Sequence, residues 1–468
     1  MLARRGMTGT SSRIGLVDCP GLPKHSTDTT LPSLEGRSAS DDSQAAAGWA
    51  VTVLHSPARA LVSRRFDLGS TLRFGRSAEA DVDVPLDDPK VSRHHATITR
   101  VGVIVEIRDH GSRNGTFVNG ARVDACMLRP GDIVRIGDTL LELGDSPARA
   151  ATGDPTLAGT APAFVAAVEL ADRVASSDVS VLILGETGTG KDMLAHHIHE
   201  RSGRQGSFVA VNCAALPDDL VESTLFGHKK GAFTGATGDT PGLFLEARGG
   251  TLFLDEIGAL DVAHQAKLLR ALDSREIIPV GGTRRVHTDA RVIAATNLEL
   301  LASIADGGFR ADLYARLAGA VVRMPPLRAR RGDILGLAER FLAEPPPPVG
   351  RRLSAQAAER LLIHPWPRNI RELGSAMRRL VLLLGDRAEI RRADVDAVLE
   401  SPVAVTHDRP SLRTGGGGRP GIPTREELAA QTALLRGNVS RLAEHYGKDA
   451  KQIYRWLKRY RLDPGSFR

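Results

Sequence analysis

The sequence predicts a multidomain chain. An all-β sandwich comes first, then an α/β domain with a glycine-rich loop followed by a run of helices, then an all-α C-terminal unit. Three observations lead there. The 468 residues are too many for one core and suit about three domains. The apolar pattern changes along the chain, from short β-type runs, to strands alternating with helices, to helices alone. Stretches rich in Gly, Pro, Ser and Thr separate these regions.

Residues 1–48 are rich in Ser, Thr, Gly and Pro without periodicity, and read as a disordered tail. Residues 49–145 hold short runs (AVTVL, TLRFG, ATITRVGVIVEIRD, GTFVNG, DIVRIG, TLLEL) between Gly, Asn and Asp turns, which predicts a β-sandwich. Residues 146–160 read as a linker. Across 161–333, helical patterns alternate with buried runs such as VSVLILG, TLFLDE and ARVIAATN, so a parallel sheet is expected. Residues 334–400 read as helices broken by Pro345–Pro348 and by His364–Pro367. A second linker at 401–423 contains four glycines at 415–418, and a small helical unit occupies 424–468.

Composition narrows the class. Hydrophobic residues are 42% and charged residues 25%, the mix of soluble globular domains. The net charge of +7 suits a polyanionic partner without naming one. Cys19, Cys126 and Cys213 have no CxxC or CxxH spacing. This excludes a disulfide framework and a cysteine zinc site, and favours a reducing compartment. No apolar run approaches the ~18 residues of a membrane helix, and no signal-peptide h-region follows the N-terminal arginines. A cytoplasmic chain without a membrane partner is expected.

The segment VLILGETGTGKD runs from a strand into a helix and contains GxxxxGK. Its loop is Gly185, Glu186, Thr187, Gly188, Thr189, Gly190, Lys191 and Asp192. The glycines let backbone N–H groups curl around phosphate oxygens, and Lys191 adds a positive charge. ATP is the expected ligand. Asp192 stands where a hydroxyl residue usually binds Mg²⁺. About 65 residues on, TLFLDEIG ends a buried strand in Asp255 and Glu256. Asp255 is placed to hold Mg²⁺ and Glu256 to polarise the attacking water. A third strand ends in Thr296 and Asn297, which read either as γ-phosphate sensors or as ordinary turn formers.

Eight motifs in order then identify a resemblance: GETGTGK, VNCAAL, FGHKKGAFTGA, GTLFLDEIG, AATN, FRADLYARL, PPLRARRGDI and WPRNIREL. Residues 161–400 resemble sigma-54-dependent transcriptional activators, a branch of the AAA+ ATPases. The resemblance implies an ATPase that works as a ring, usually a hexamer. It implies contact with sigma-54 RNA polymerase holoenzyme through Gly231, Ala232, Phe233, Thr234, Gly235 and Ala236. Phe233 between small residues also suits a contact surface on its own chemistry. By the same resemblance Asn212 holds the catalytic glutamate in an inactive pose. Arg310 and Arg316 reach the neighbouring subunit's ATP, and Arg371 is a lid arginine at the nucleotide. Two positions depart from the family: Lys229 replaces a common Glu, and Arg368 a common Gly.

Residues 72–120 resemble the forkhead-associated (FHA) domain, which binds phosphothreonine peptides. Arg76 and Arg93 suit the phosphate, Ser92 adds a hydroxyl, and Asn114 suits the peptide backbone. Arg113 stands where Thr is common. His95 reads as a structural histidine. A phosphothreonine protein linked to a Ser/Thr kinase is the implied partner, in place of the aspartate-phosphorylated receiver common among these activators.

Residues 424–468 resemble a Fis-type helix-turn-helix. At about 100° per residue, Lys451, Gln452, Arg455, Lys458 and Arg459 share one side of the third helix. Ile453, Trp456, Leu457 and Tyr460 fall on the other side. A basic face opposite an apolar one suits a major groove, so enhancer DNA is the implied partner. The expected function is a phosphothreonine-controlled activator of sigma-54 polymerase. A DNA-bound repressor, or a phosphopeptide adaptor whose ATPase serves only assembly, is the alternative.

Overall fold

The computed structural model describes residues 48–78, 81–144, 157–297, 299–344, 350–385, 387–400 and selected positions between 428 and 462. Two compact units divide the chain, Met1–Pro402 and Val403–Arg468. The expected tail to residue 47, the Pro345–Pro348 run and the 401–423 linker lie outside the described residues.

The first unit opens with β1 (Trp49–His55), β2 (Arg65–Leu68), β3 (Thr71–Gly75), β4 (Val84–Pro85), β5 (Ala96–Val101) and β6 (Ile104–Asp109). It continues with β7 (Thr116–Val118), β8 (Ala121–Val123), β9 (Ala125–Leu128), β10 (Ile133–Ile136) and β11 (Thr139–Gly144). They form two sheets, β2-β1-β11-β10-β7-β8 and β4-β3-β5-β6-β9. Alternation sends Val51, Val53, Ile98, Ile107, Val134 and Leu141 into the core between them. Four strands (β2, β4, β8, β9) escape the sequence reading because they are short or mix polar and apolar residues. Cys126, on β9, is buried.

The α/β core holds β12 (Val181–Leu184), β13 (Phe208–Asn212), β14 (Thr251–Asp255), β17 (Arg291–Thr296) and β18 (Ala320–Arg323). Their order is β13-β14-β17-β12-β18, and every neighbouring pair is parallel. A small ribbon, β15 (Glu276–Ile277) with β16 (Val286–His287), lies outside this sheet. The helices are α1 (Pro162–Ala175), α2 (Lys191–Arg201), α3 (Asp218–Phe226), α4 (Leu243–Glu246), α5 (Val262–Ser274), α6 (Leu300–Ala305) and α7 (Ala311–Leu317). Every residue of β17 is buried, as expected for a central strand covered on both faces. Arg291 begins that strand, and its buried guanidinium donates to the carbonyls of Val174, Ala175 and Val179. It thereby satisfies acceptors that the end of α1 leaves open. The sequence-predicted linker ends early, because Leu157 is buried in the core and Thr160 N–H and Oγ1 donate to Asp333.

The lid comprises α8 (Arg331–Leu342), α9 (Ala355–Ile363), α10 (Asn369–Leu384) and α11 (Arg392–Glu400), with Arg352–Leu353 (β19) pairing Glu389–Ile390 (β20). The predicted break at His364–Pro367 separates α9 from α10. Arg330 and Asp333 form a buried ion pair at 3.0 Å, and Arg330 stacks on Phe164 at 3.5 Å.

The sandwich packs against the lid. Arg331 Nη1 donates to Gly131 O. Burial pushes Glu142 up to about 7, with Arg331 opposing the shift and Asp333 adding to it. Between its ordinary 4.5 and about 7, the folded chain holds more protons than the unfolded one. Stability therefore falls as pH rises through that window. Glu142→Gln removes the buried charge. It should raise the melting temperature at pH 8, by a free energy on the order of 2–3 kcal/mol at most, and show no advantage near pH 4. Thermal denaturation across pH checks this.

In the second unit, Leu428, Leu442, Tyr446, Ile453, Trp456 and Leu457 form a buried cluster around the helix Val439–Tyr446. The apolar side of the third sequence-predicted helix is thus the buried side at Ile453, Trp456 and Leu457. Lys451, Gln452, Arg455, Lys458 and Arg459 lie outside the described residues.

Candidate functional site

Three adjacent parallel strands deliver the candidate nucleotide groups to one sheet edge. Lys191 follows β12, Asp255 and Glu256 end β14, and Thr296 and Asn297 end β17. The loop turns because Gly188 and Gly190 take φ of 81° and 95°, a region open to glycine. Lys191 is buried, and its ammonium donates to the carbonyls of Gly185 and Glu186 at 2.9 and 3.3 Å. Desolvation lowers its pKa, while Glu256 and Asp255 act against that shift. Glu256 is held at φ 51°, a left-handed conformation unusual for this residue type. Its backbone N–H donates to Asp255 Oδ1 at 3.0 Å. Asn297 Nδ2 reaches Thr187 Oγ1 at 2.9 Å, and Gly185 N–H donates to Thr296 O. Both ends of the β17 pair therefore touch the loop itself.

Glu186 faces the lid. Arg328 grips both of its carboxylate oxygens, at 2.5 and 2.8 Å, and Asn369 Nδ2 donates to it at 3.1 Å. The Arg328 hydrogen bond holds the Glu186 carboxyl below its ordinary value despite partial desolvation. Sequence reasoning grouped Glu186 with the phosphate loop and missed Arg328 and Asn369, although both lie inside motifs it quoted. Arg371 lies where the lid meets the loop. A Cβ built on Gly188 would come within 2.2 Å of Arg368 O and 3.1 Å of Arg371 Cβ. Arg368 sits at φ −109°, so the turn does not need a glycine there. The left-handed positions are Trp366 and Asn369.

Asn212 lies opposite Asp255 in the β13–β14 register, but its Oδ1 accepts from Ala214 N–H at 2.9 Å, capping a short helical turn. Arg310 pairs with Asp312 at 2.7 Å, and Arg316 with Asp273 at 3.2 Å. These partners lie on α7 and α5, not on the loop of the same chain.

The 231–236 segment is a tight hairpin. Gly231 and Gly235 take positive φ, and Gly231 N–H donates to Ala236 O. Phe233 is 39% exposed with the His228 ring 4.9 Å away, and Thr234 is exposed. Lys229 bridges to Asp239 at 2.6 Å across the base of the hairpin. The departure from the family thus replaces an acidic side chain with one half of an exposed ion pair.

At one end of the sandwich, Arg76, Arg93, Arg113 and Asn114 are exposed around Ser92. Arg76 Nε donates to Val91 O, Arg113 N–H to Ser92 Oγ, and Asn114 Nδ2 to Lys90 O. Fully buried His95 accepts from Ser92 N–H at 3.0 Å through Nδ1, leaving Nε2–H to donate to Gly115 O. Burial lowers its pKa, against the Gly115 bond and Asp109. The neutral ring ties together the two loops that carry the candidate phosphate groups.

Residues 157–323 match the Sigma-54 interaction domain, 328–411 the AAA+ ATPase lid domain and 72–137 the FHA domain. The chain belongs to the sigma-54-dependent transcriptional regulators. It is 39% identical over 320 residues to the transcriptional regulatory protein GlrR of Escherichia coli, covering 66% of this chain and 68% of GlrR. It is 49% identical over 226 residues to the transcriptional regulatory protein FlbD of Caulobacter vibrioides, covering 47% of this chain and 50% of FlbD. The chain spans about half the length of FlbD. Among solved structures, NtrX from Brucella abortus in complex with ATP aligns at 33% identity and a TM-score of 0.48, covering 67% of this chain and 70% of that one.

Gly188→Ala should break the loop–lid contact. The new Cβ meets a carbonyl oxygen at 2.2 Å, and the left-handed backbone costs an alanine about 1–2 kcal/mol. Fluorescent-nucleotide titration should show at least a tenfold weaker Kd, and the melting temperature should fall.

Proposed function

We propose that the chain is an ATP-hydrolysing activator of sigma-54 RNA polymerase, controlled by a phosphothreonine protein and held near promoters by its C-terminal unit. The observation that carries this is the gathering of Lys191, Asp255, Glu256 and Asn297 on three neighbouring strand ends, beside a lid that contacts the same loop. Open parallel sheets bind ligands at that edge.

In this reading the loop N–H groups and Lys191 hold the ATP phosphates, and Asp255 would hold Mg²⁺, which would neutralise phosphate charge. Glu256 polarises the attacking water, while Asn297 reports the γ-phosphate to the loop through Thr187 and Thr296 through Gly185. Arg316 is exposed and Arg310 partly so, as suits arginines serving a neighbour's site. An arginine supplied in trans is worth ~10³–10⁵ in rate, so hydrolysis would depend on assembly into a ring, expected to be a hexamer. Phe233 and Thr234 are the tip that engages the polymerase. Lys451, Gln452, Arg455, Lys458 and Arg459 would face enhancer DNA, with Ile453, Trp456 and Leu457 turned into the core. Among the described residues no helix is long and apolar enough to cross a membrane, and the proposed site of action is the cytoplasm.

Glu256→Gln should bind ATP and stop turnover, and Thr234→Ala should hydrolyse ATP without forming open complexes. Steady-state ATPase and promoter-opening assays separate the two. Normal transcription from Thr234→Ala would remove the polymerase assignment.

The phosphopeptide reading rests on Arg76, Ser92, Arg93, Arg113 and Asn114 converging at one end of the sandwich. A phosphate brings a charge near −2, so arginines should carry its affinity. Calorimetry with matched phosphothreonine and unphosphorylated peptides should show a preference for phosphate of at least tenfold, and Arg76→Ala should abolish it. Equal binding without phosphate would reduce the domain to a plain protein-interaction module.

A further inference from the structure

The face joining the sandwich to the lid is not explained by either ligand site. In the β10–β11 pairing, Ile133 lies opposite Glu142 and Arg135 opposite Leu140. These four alternate with Val134, Ile136, Leu141 and Leu143, which fill the sandwich core. Ile133 and Leu140 are instead buried in the lid's own apolar core, with Leu361, Leu362 and Trp366. Among them Arg135 Nε donates to Glu359 Oε2 at 2.8 Å, with side chains only 11% and 2% exposed. Glu359 Oε1 is buried without a hydrogen-bond partner. A half-satisfied buried ion pair is poor stabilisation, and fixing a register or a switch is its best-attested use.

The pair connects to both ligand sites. On the sandwich side, the Arg135 guanidinium stacks 3.8 Å from the Phe117 ring, and the two residues are register partners across β7 and β10. Phe117, on β7, follows by three residues Asn114 of the loop that carries Arg113. On the lid side, Glu359 belongs to α9, where Leu361 O accepts from Trp366 Nε1–H at 2.9 Å. Trp366 O accepts from Asn369 N–H at 2.8 Å. Asn369 Nδ2 then donates to Glu186 Oε2 and to Thr187 O, each at 3.1 Å. Stacking, ion pairing, hydrogen bonds and short stretches of chain thus run without interruption from the Asn114 loop to the nucleotide loop.

We propose that Arg135 and Glu359 are positioning residues that couple the phosphothreonine pocket to the nucleotide loop, so that each ligand changes the affinity for the other. This rests on the function proposed above. Peptide contacts at Arg113 and Asn114 fix the start of β7, hence Phe117 and the guanidinium stacked on it. Arg135 then fixes α9, and the turn at Trp366 carries that position to Asn369. Because one Glu359 oxygen gains nothing from burial, the engaged pair is balanced against a released, hydrated one, which is the two-state element that coupling requires.

The test uses the full-length chain. ADP affinity is measured by calorimetry with and without a phosphothreonine peptide selected from an arrayed library, and with its unphosphorylated twin. The phosphopeptide should shift the ADP Kd by at least about fivefold, and ADP should shift the peptide Kd by the same factor. In Arg135→Ala and in the isosteric Glu359→Gln the factor should fall to near one, while each ligand alone binds within about twofold of the parent. Glu359→Gln preserves packing and serves if Arg135→Ala does not fold. A parent factor of one with both ligands bound, or an unchanged factor in Glu359→Gln, overturns the proposal. Hydrogen exchange supplies an arm without peptide. ADP should alter exchange at β10 in the parent and not in Glu359→Gln, and a β10 indifferent to ADP also overturns the coupling. A chain that binds no phosphothreonine peptide removes the phosphopeptide reading alone, leaving the β10 result to decide the contact between the domains.

Discussion

One buried amide holds the nucleotide loop to its lid. Asn369 is fully buried, sits at φ 54°, and accepts from Leu327 N–H at 2.7 Å while donating to Glu186 and Thr187. It needs an acceptor and two donors on a short stem, and a left-handed backbone that asparagine tolerates better than most residues. Aspartate there would lose both donors beside another carboxylate. The loop's shape is therefore set by two domains together. The Arg328 grip on Glu186, the Trp366 indole bond and the close approach at Gly188 all depend on that joint.

The sandwich extends the same arrangement outward. Its β10–β11 ribbon carries buried apolar residues on both faces, one set filling its own core and the other, Ile133 and Leu140, entering the lid. An ordinary antiparallel sheet with one face in water shows cleaner alternation. Set among those apolar side chains, Arg135 and Glu359 give the interface a unique register at the expense of desolvating two charges.

Sequence legibility followed distance along the chain. The glycine loop, the Asp255–Glu256 strand end and the hairpin at Phe233 were readable because each is a local pattern whose chemistry needs a few consecutive residues. The apolar side of Ile453, Trp456 and Leu457 was readable from helical period alone. Glu186 reads as part of the loop, but its lid partner cannot be read locally, since Arg328 lies 142 positions away. Arg135 and Glu359 are 224 positions apart and belong to no motif. Their one trace was the runs IVRI and LLEL, whose apolar residues on both faces signal that something covers the outer side of the sheet. Asn212 shows the opposite limit: the resemblance gives it a role toward the catalytic glutamate, while its side chain accepts from a backbone N–H two residues on.

The chain's three tryptophans fall one to a module: Trp49 in the sandwich, Trp366 at the lid turn and Trp456 in the C-terminal cluster. Trp366 has no solvent exposure, and the His364 ring lies edge-on 4.5 Å away. An indole held between helices and beside an imidazole has an emission spectrum set by that turn, since both water access and ring contact change if the turn opens. With Trp49 and Trp456 replaced by phenylalanine, the protein's own fluorescence becomes a label-free optical gauge of the lid.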